Sequence, residues 1–99
     1  MGQIKWTEKS SSNLQSIFEY IAKDSNIYAT RFVKSLIAST KKLEKMPRCG
    51  RIIPELEELG LREIIYRNYR IAYRIKKNDN IEILAVIQSA RDFLSALEE

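Results

Sequence analysis

Ninety-nine residues, 44% hydrophobic and 30% charged, suffice for one packed core but not for two, and the balance is that of a folded chain. The chain has no histidine and one cysteine, Cys49; this excludes Ser-His and Cys-His nucleophile pairs, the commonest general base and an internal disulfide. A net charge of +4 and a pI near 9.3 are compatible with a nucleic-acid or ribosome partner. No apolar stretch is long enough to span a membrane, and Met1-Gly2-Gln3-Ile4-Lys5-Trp6 lacks an apolar signal core, so a cytoplasmic protein without a membrane partner is expected.

Ile4-Lys5-Trp6 alternates apolar and polar side chains and predicts a short opening strand. Thr7, or one of Ser10, Ser11 and Ser12, can cap the helix that follows, since a side-chain oxygen there accepts from an otherwise unpaired backbone N–H. Leu14, Ile17, Phe18, Ile21 and Ala22 recur at the spacing of one buried helical stripe. Lys23-Asp24-Ser25-Asn26 interrupts the pattern and supplies a new cap. The second helix then carries Ala29, Phe32, Val33, Leu36, Thr40 and Leu43 on one face, with Pro47 as its stop.

From Gly50 the period changes to two. Leu61 to Tyr66, Tyr69 to Ile75 and Ile81 to Ile87 are rich in Ile, Leu, Tyr and Val and predict strands, joined by turns at Arg67-Asn68 and Lys77-Asn78-Asp79-Asn80, where Asn tolerates the left-handed region. Tyr69, Ile71, Tyr73 and Ile75 should face the helices, with Arg70, Ala72, Arg74 and Lys76 on the opposite, open face. The last strand is apolar on both faces and reads as an interior strand, and Phe93, Leu94 and Leu97 suggest a closing helix from about Ala90. The expected architecture is a single α+β domain over residues 1–99, β-α-α-β-β-β(-α), with a helical hairpin on one face of a mostly antiparallel sheet.

The positive charge is local: from Arg62 to Lys77 six cations stand against Glu63 alone. Arg62, Arg70 and Arg74, with Arg67 at the turn, can converge into a phosphate-binding surface, because guanidinium groups stay charged and donate in a planar fork. Alternatively each pairs with a carboxylate such as Glu63 or Glu82. Tyr69 and Tyr73 read as core residues with a satisfied hydroxyl, while Tyr66, beside the arginines, is open to stacking or proton transfer. Glu55, Glu57 and Glu58 lack metal-ligand spacing and read as a solvated loop, so no metal or cofactor is expected.

Several segments together carry a family resemblance. They are Ile4-Lys5-Trp6-Thr7 leading into a helix, Tyr20-Ile21-Ala22 closing it, and Leu43-Glu44-Lys45-Met46-Pro47-Arg48-Cys49-Gly50-Arg51. Leu61-Arg62-Glu63 followed by Tyr69-Arg70-Ile71-Ala72-Tyr73-Arg74, and the ending Ile83 to Phe93, complete the set. Taken in this order the chain resembles the RelE/ParE superfamily of toxins from bacterial and archaeal toxin–antitoxin operons. The resemblance implies a cytoplasmic toxin that arrests growth when free of a cognate antitoxin, the two possibly assembling as a heterotetramer. It also implies either ParE-like inhibition of DNA gyrase or RelE-like cleavage of messenger RNA on the ribosome; an inactive relative that only binds its antitoxin is a third reading. In the nuclease reading Arg70 and Arg91 would contact the phosphate and Glu63 would be the base. Gln88, Ser89 and Ala90, however, stand where that branch supplies a tyrosine or histidine acid. The Leu-Arg-Glu strand opening and Ser-Ala-Arg-Asp ending look closer to ParE. In the gyrase reading Arg51, Arg62, Arg67, Arg70 and Arg74 form the target-binding face.

Overall fold

A computed structural model describes residues 2–90. Along the chain run β1 (Ile4–Trp6), α1 (Glu8–Ala22), α2 (Asn26–Ser39), β2 (Arg51–Ile52), β3 (Arg62–Tyr66), β4 (Tyr69–Ile75) and β5 (Ile81–Gln88), with 3₁₀ segments at Lys41–Glu44, Pro54–Leu59 and Lys77–Asp79. The strands form one five-stranded sheet in the order β1-β5-β4-β3-β2. Among the described residues only the β1–β5 pair is parallel. The helical hairpin of α1 and α2 lies on one face, giving the expected α+β arrangement; the predicted closing helix falls outside the described residues.

Local chemistry accounts for the helix boundaries. Thr7 Oγ1 accepts from the Ser10 N–H at 3.1 Å while the buried Ser10 hydroxyl donates to the Thr7 carbonyl at 2.9 Å, so α1 begins at Thr7. Ser25 Oγ accepts from the Tyr28 N–H at 3.1 Å and starts α2. That helix ends at Ser39, well before Pro47, which corrects the expectation that the proline stops it. The Ser39 and Thr40 hydroxyls turn back onto the Leu36 and Ile37 carbonyls, offering the backbone an alternative to another helical turn. Leu43 still reaches the core, but from the 3₁₀ segment. In the turn after β3 the left-handed residue is Arg67 (φ 56°), not Asn68.

The core lies on both faces of the sheet. Beneath the helices, Ile17 and Leu36 pack with Leu43, Ile64, Tyr69, Ile71, Tyr73, Ile81, Ile83 and Val86. On the far face Ile53, Leu56 and Leu61 cover Ala72, Ala85 and Ile87. The far face is therefore not open over this half. The segment from Ile53 to Leu61 folds back across it, because Ile53, Leu56 and Leu61 each gain about 1.5–3 kcal/mol by burial there. A β-bulge explains why strict alternation fails in β5. Tyr73 is paired with Ile83 and Ala72 with Ala85, leaving Leu84 extra. Ile81, Ile83 and then Val86 thus face the helices, while Ala85 and Ile87 face away.

Tyr73 joins the sheet to the loop before β2. Its fully buried ring carries a hydroxyl that donates to the Pro47 carbonyl at 2.7 Å and accepts from the Gly50 N–H at 3.0 Å. Burial pushes this phenol above its usual pKa, the Gly50 hydrogen bond acting in the opposite direction. Gly50 must be glycine, since a Cβ there would lie 2.6 Å from both the Glu63 carbonyl oxygen and the Tyr73 hydroxyl. Tyr73→Phe leaves the buried Gly50 N–H without its acceptor, so urea denaturation should show a loss of about 1–3 kcal/mol with an unchanged m-value.

Candidate functional site

Among the described residues, four charged side chains from four parts of the chain meet on the far face. Glu63 lies opposite Arg51 on β2 and Ala72 on β4, and Arg70 is two residues back from Ala72 on the same side of β4. The Glu63 side chain has no exposed surface. Its Oε1 accepts from Arg70 Nε at 2.6 Å and its Oε2 from Arg51 Nε at 2.5 Å. The outer nitrogens of Arg70 turn to Glu55, Nη1 to Oε2 at 3.2 Å and Nη2 to Oε1 at 3.4 Å. Glu55 thereby ties the Pro54–Leu59 segment to the sheet, rather than sitting in a merely solvated loop as expected.

The electrostatics follow from this packing. Burial alone would lower the Arg70 pKa, but its hydrogen bonds to Glu63 and Glu55 outweigh that and the net displacement is upward. Glu55 is held below the usual carboxylate range, first by a hydrogen bond from a backbone N–H of its own residue and next by Arg70. Arg70, placed at the target-binding face by sequence, is 8% exposed. Both oxygens of the buried Glu63 carboxylate already accept hydrogen bonds. This geometry is that of a structural network.

The five arginines of the expected face are separated. Arg62 lies opposite Tyr73 in register, so it belongs to the helix side of the sheet, and its Nη1 donates to the Gly50 carbonyl at 2.7 Å and the Arg48 carbonyl at 3.3 Å. Period-two spacing within a strand places residues on one face, but only the register between β3 and β4 shows which face of β3 matches Arg70. Arg51 remains largely exposed while holding Glu63. Arg67 is exposed at the turn, its guanidinium 5.9 Å from the Tyr66 ring centre. Arg74 is paired with Glu82 at 2.6 Å on the far face. Arg91 lies outside the described residues. Tyr66 packs edge-on against Phe32, 5.6 Å between centres, and is half-buried. Cys49 is exposed, and no group of His, Cys, Asp or Glu among the described residues could hold a metal ion. The hidden partner was Glu55: fifteen residues separate it from Arg70, and only the fold-back of Ile53 to Leu61 joins them.

The class of protein is defined by fold and sequence together. Residues 4–93 match the model of the ParE toxin of type II toxin–antitoxin systems, and the chain belongs to that family. Its fold is similar to the chromosomal ParDE toxin–antitoxin system from P. aeruginosa, with a TM-score of 0.72 and 24% identity over 89% of this chain and 96% of that one. It is also similar to the RelBE2 toxin–antitoxin complex from Mycobacterium tuberculosis, with a TM-score of 0.65 and 19% identity over 88% of this chain and 96% of that one. No curated protein matches it in sequence. No helix among the described residues is long and apolar enough to cross a membrane.

Two predictions come from the network. Arg70→Ala leaves Glu63 buried beside Arg51 alone and should cost about 3–5 kcal/mol in urea denaturation, whereas Arg74→Ala, at a half-exposed pair, should cost under about 1 kcal/mol. Because the Glu55 pKa is lowered on folding, its contribution is complete above the ordinary carboxylate range and lost as pH falls through the lowered folded value. Thermal unfolding of Glu55→Gln should therefore show a shallower fall in Tm on acidification than the parent chain.

Proposed function

We propose that this toxin arrests growth by binding DNA gyrase when free of a cognate antitoxin, without cutting RNA. The observation that supports this reading is the burial of Arg70 and Glu63. RNA cleavage needs a base within reach of the ribose hydroxyl, cations on the phosphate, and an acid for the leaving oxygen. The two residues best placed by sequence for the first two roles are engaged with each other, and Gln88-Ser89-Ala90 supplies no proton donor near neutral pH. Membership of the ParE toxin family points the same way.

The antitoxin reading is supported by exposed apolar side chains on the helical hairpin. Tyr20, Ile27 and Tyr28 are more than half exposed and are flanked by Lys23 and Arg31. Such a strip fits an amphipathic segment with acidic flanks. A heterotetramer of two toxins and two antitoxins is the assembly we expect.

Inducible expression without the antitoxin tests the target. Growth should stop, extracts should show trapped DNA breaks, and the purified chain should inhibit gyrase supercoiling while translated messages stay intact. Cuts within messages, with supercoiling unaffected, would instead assign the activity to the ribosome.

A further inference from the structure

The far face of the sheet divides into two halves. Around Ala72, Ala85 and Ile87 it is covered by apolar side chains. Toward the β1 edge it carries charge instead. Lys5, Glu82 and Arg74 stand in register across β1, β5 and β4, with Lys76 and Lys77 just beyond β4. Gln3, Lys5, Lys76, Lys77, Asn80, Ile81 and Glu82 line a groove of about 320 Å³ at this corner.

The charges there are unbalanced. Glu82 accepts from Arg74 Nε at 2.6 Å, and the carboxylate of Asp79 in the adjoining turn is drawn to Arg48 at 3.4 Å. Lys5, Lys76 and Lys77 form no ion pair among the described residues. Asn80 Oδ1 already accepts from the Gln3 N–H at 2.9 Å, which leaves the amide its donor capacity. The turn that presents the two lysines is held by hydrogen bonds from the Lys76 N–H to the Asn80 carbonyl at 2.6 Å and from the Asn80 N–H to the Lys77 carbonyl at 3.2 Å. The large exposed hydrophobic side chains, such as Tyr20, Ile27, Tyr28 and Ile65, lie elsewhere. A protein interface needs apolar anchors of that kind at its centre, whereas a polyanion needs only cations and donors.

We propose that this corner binds the phosphodiester backbone of a nucleic acid, with Lys5, Lys76 and Lys77 as the phosphate contacts and Arg74 at the rim. From Lys5 to Arg74 the row spans two strand spacings, about 10 Å, long enough to engage more than one phosphate. Lysine ammonium groups act as point charges and read no base edge, so binding is independent of sequence. The proposal needs neither gyrase nor ribosome, and its test uses the purified chain alone.

Fluorescence anisotropy with labelled oligonucleotides of roughly 16 nucleotides, one DNA and one RNA, decides the matter; the tighter arm identifies the source of the phosphates. Affinity should fall some tens-fold between roughly 50 and 200 mM salt, as expected for about three phosphate contacts. The Lys5→Ala, Lys76→Ala, Lys77→Ala triple variant should bind at least about tenfold more weakly, with a salt slope flatter by about 2. A triple variant of equal charge on the helical hairpin, Lys23→Ala, Arg31→Ala, Lys34→Ala, should lose less than about threefold if the corner is the binding site. The proposal is overturned if neither oligonucleotide binds at low salt or if the two triple variants lose affinity equally. Tighter binding of a polyglutamate peptide than of either oligonucleotide would also overturn it.

Discussion

The Glu63 carboxylate is the group around which the far side of this protein is organised. It is buried without exposed surface, and a buried charge is tolerable only when its oxygens are fully engaged. Arg70 and Arg51 supply that engagement from the strands on either side of it, and Arg70 in turn fastens Glu55 and the segment that roofs the second apolar layer. The network thereby links the pairing of β3 with its neighbours to the covering loop. Tyr73 acts in parallel from the other side of the sheet, binding the loop before β2 through its hydroxyl.

This network changes what the arginines can do. An exposed guanidinium on a sheet is a ready oxyanion ligand, whereas Arg70 is buried and already donates to the Glu63 and Glu55 carboxylates. The sequence-level expectation of one convergent basic face therefore divides. Arg70 and Arg51 are tied to Glu63, Arg62 supports the loop at Gly50 from the helix side, and Arg74 is paired at the margin. At the β1 edge, Lys5, Lys76 and Lys77 form no ion pair among the described residues.

Most of the secondary structure was legible because it is governed by local rules. The caps at Thr7 and Ser25, the three-and-four spacing in both helices and the alternation in β4 each depend on a few neighbouring residues. The departures have non-local or competing causes. Alternation in β5 shifts at Leu84 because a bulge there changes which residues face the helices. The second helix stops at Ser39 because two hydroxyls compete for its last carbonyls, an effect outranked in a sequence reading by the conspicuous Pro47.

By itself the sequence determined the order and kind of the elements, the helix-facing core and the family to which the chain belongs. These follow from periodicity, capping and motif spacing, all properties of short stretches of chain. Only the tertiary structure decided which face of β3 each charged residue occupies, that Ile53 to Leu61 closes the far face, and that Glu55 meets Arg70. Strand register is the reason: a shift of one residue in pairing moves a side chain to the other side of the sheet. The parallel pairing of β1 with β5 likewise brings Lys5 beside a turn more than seventy residues away. No local pattern encodes that meeting.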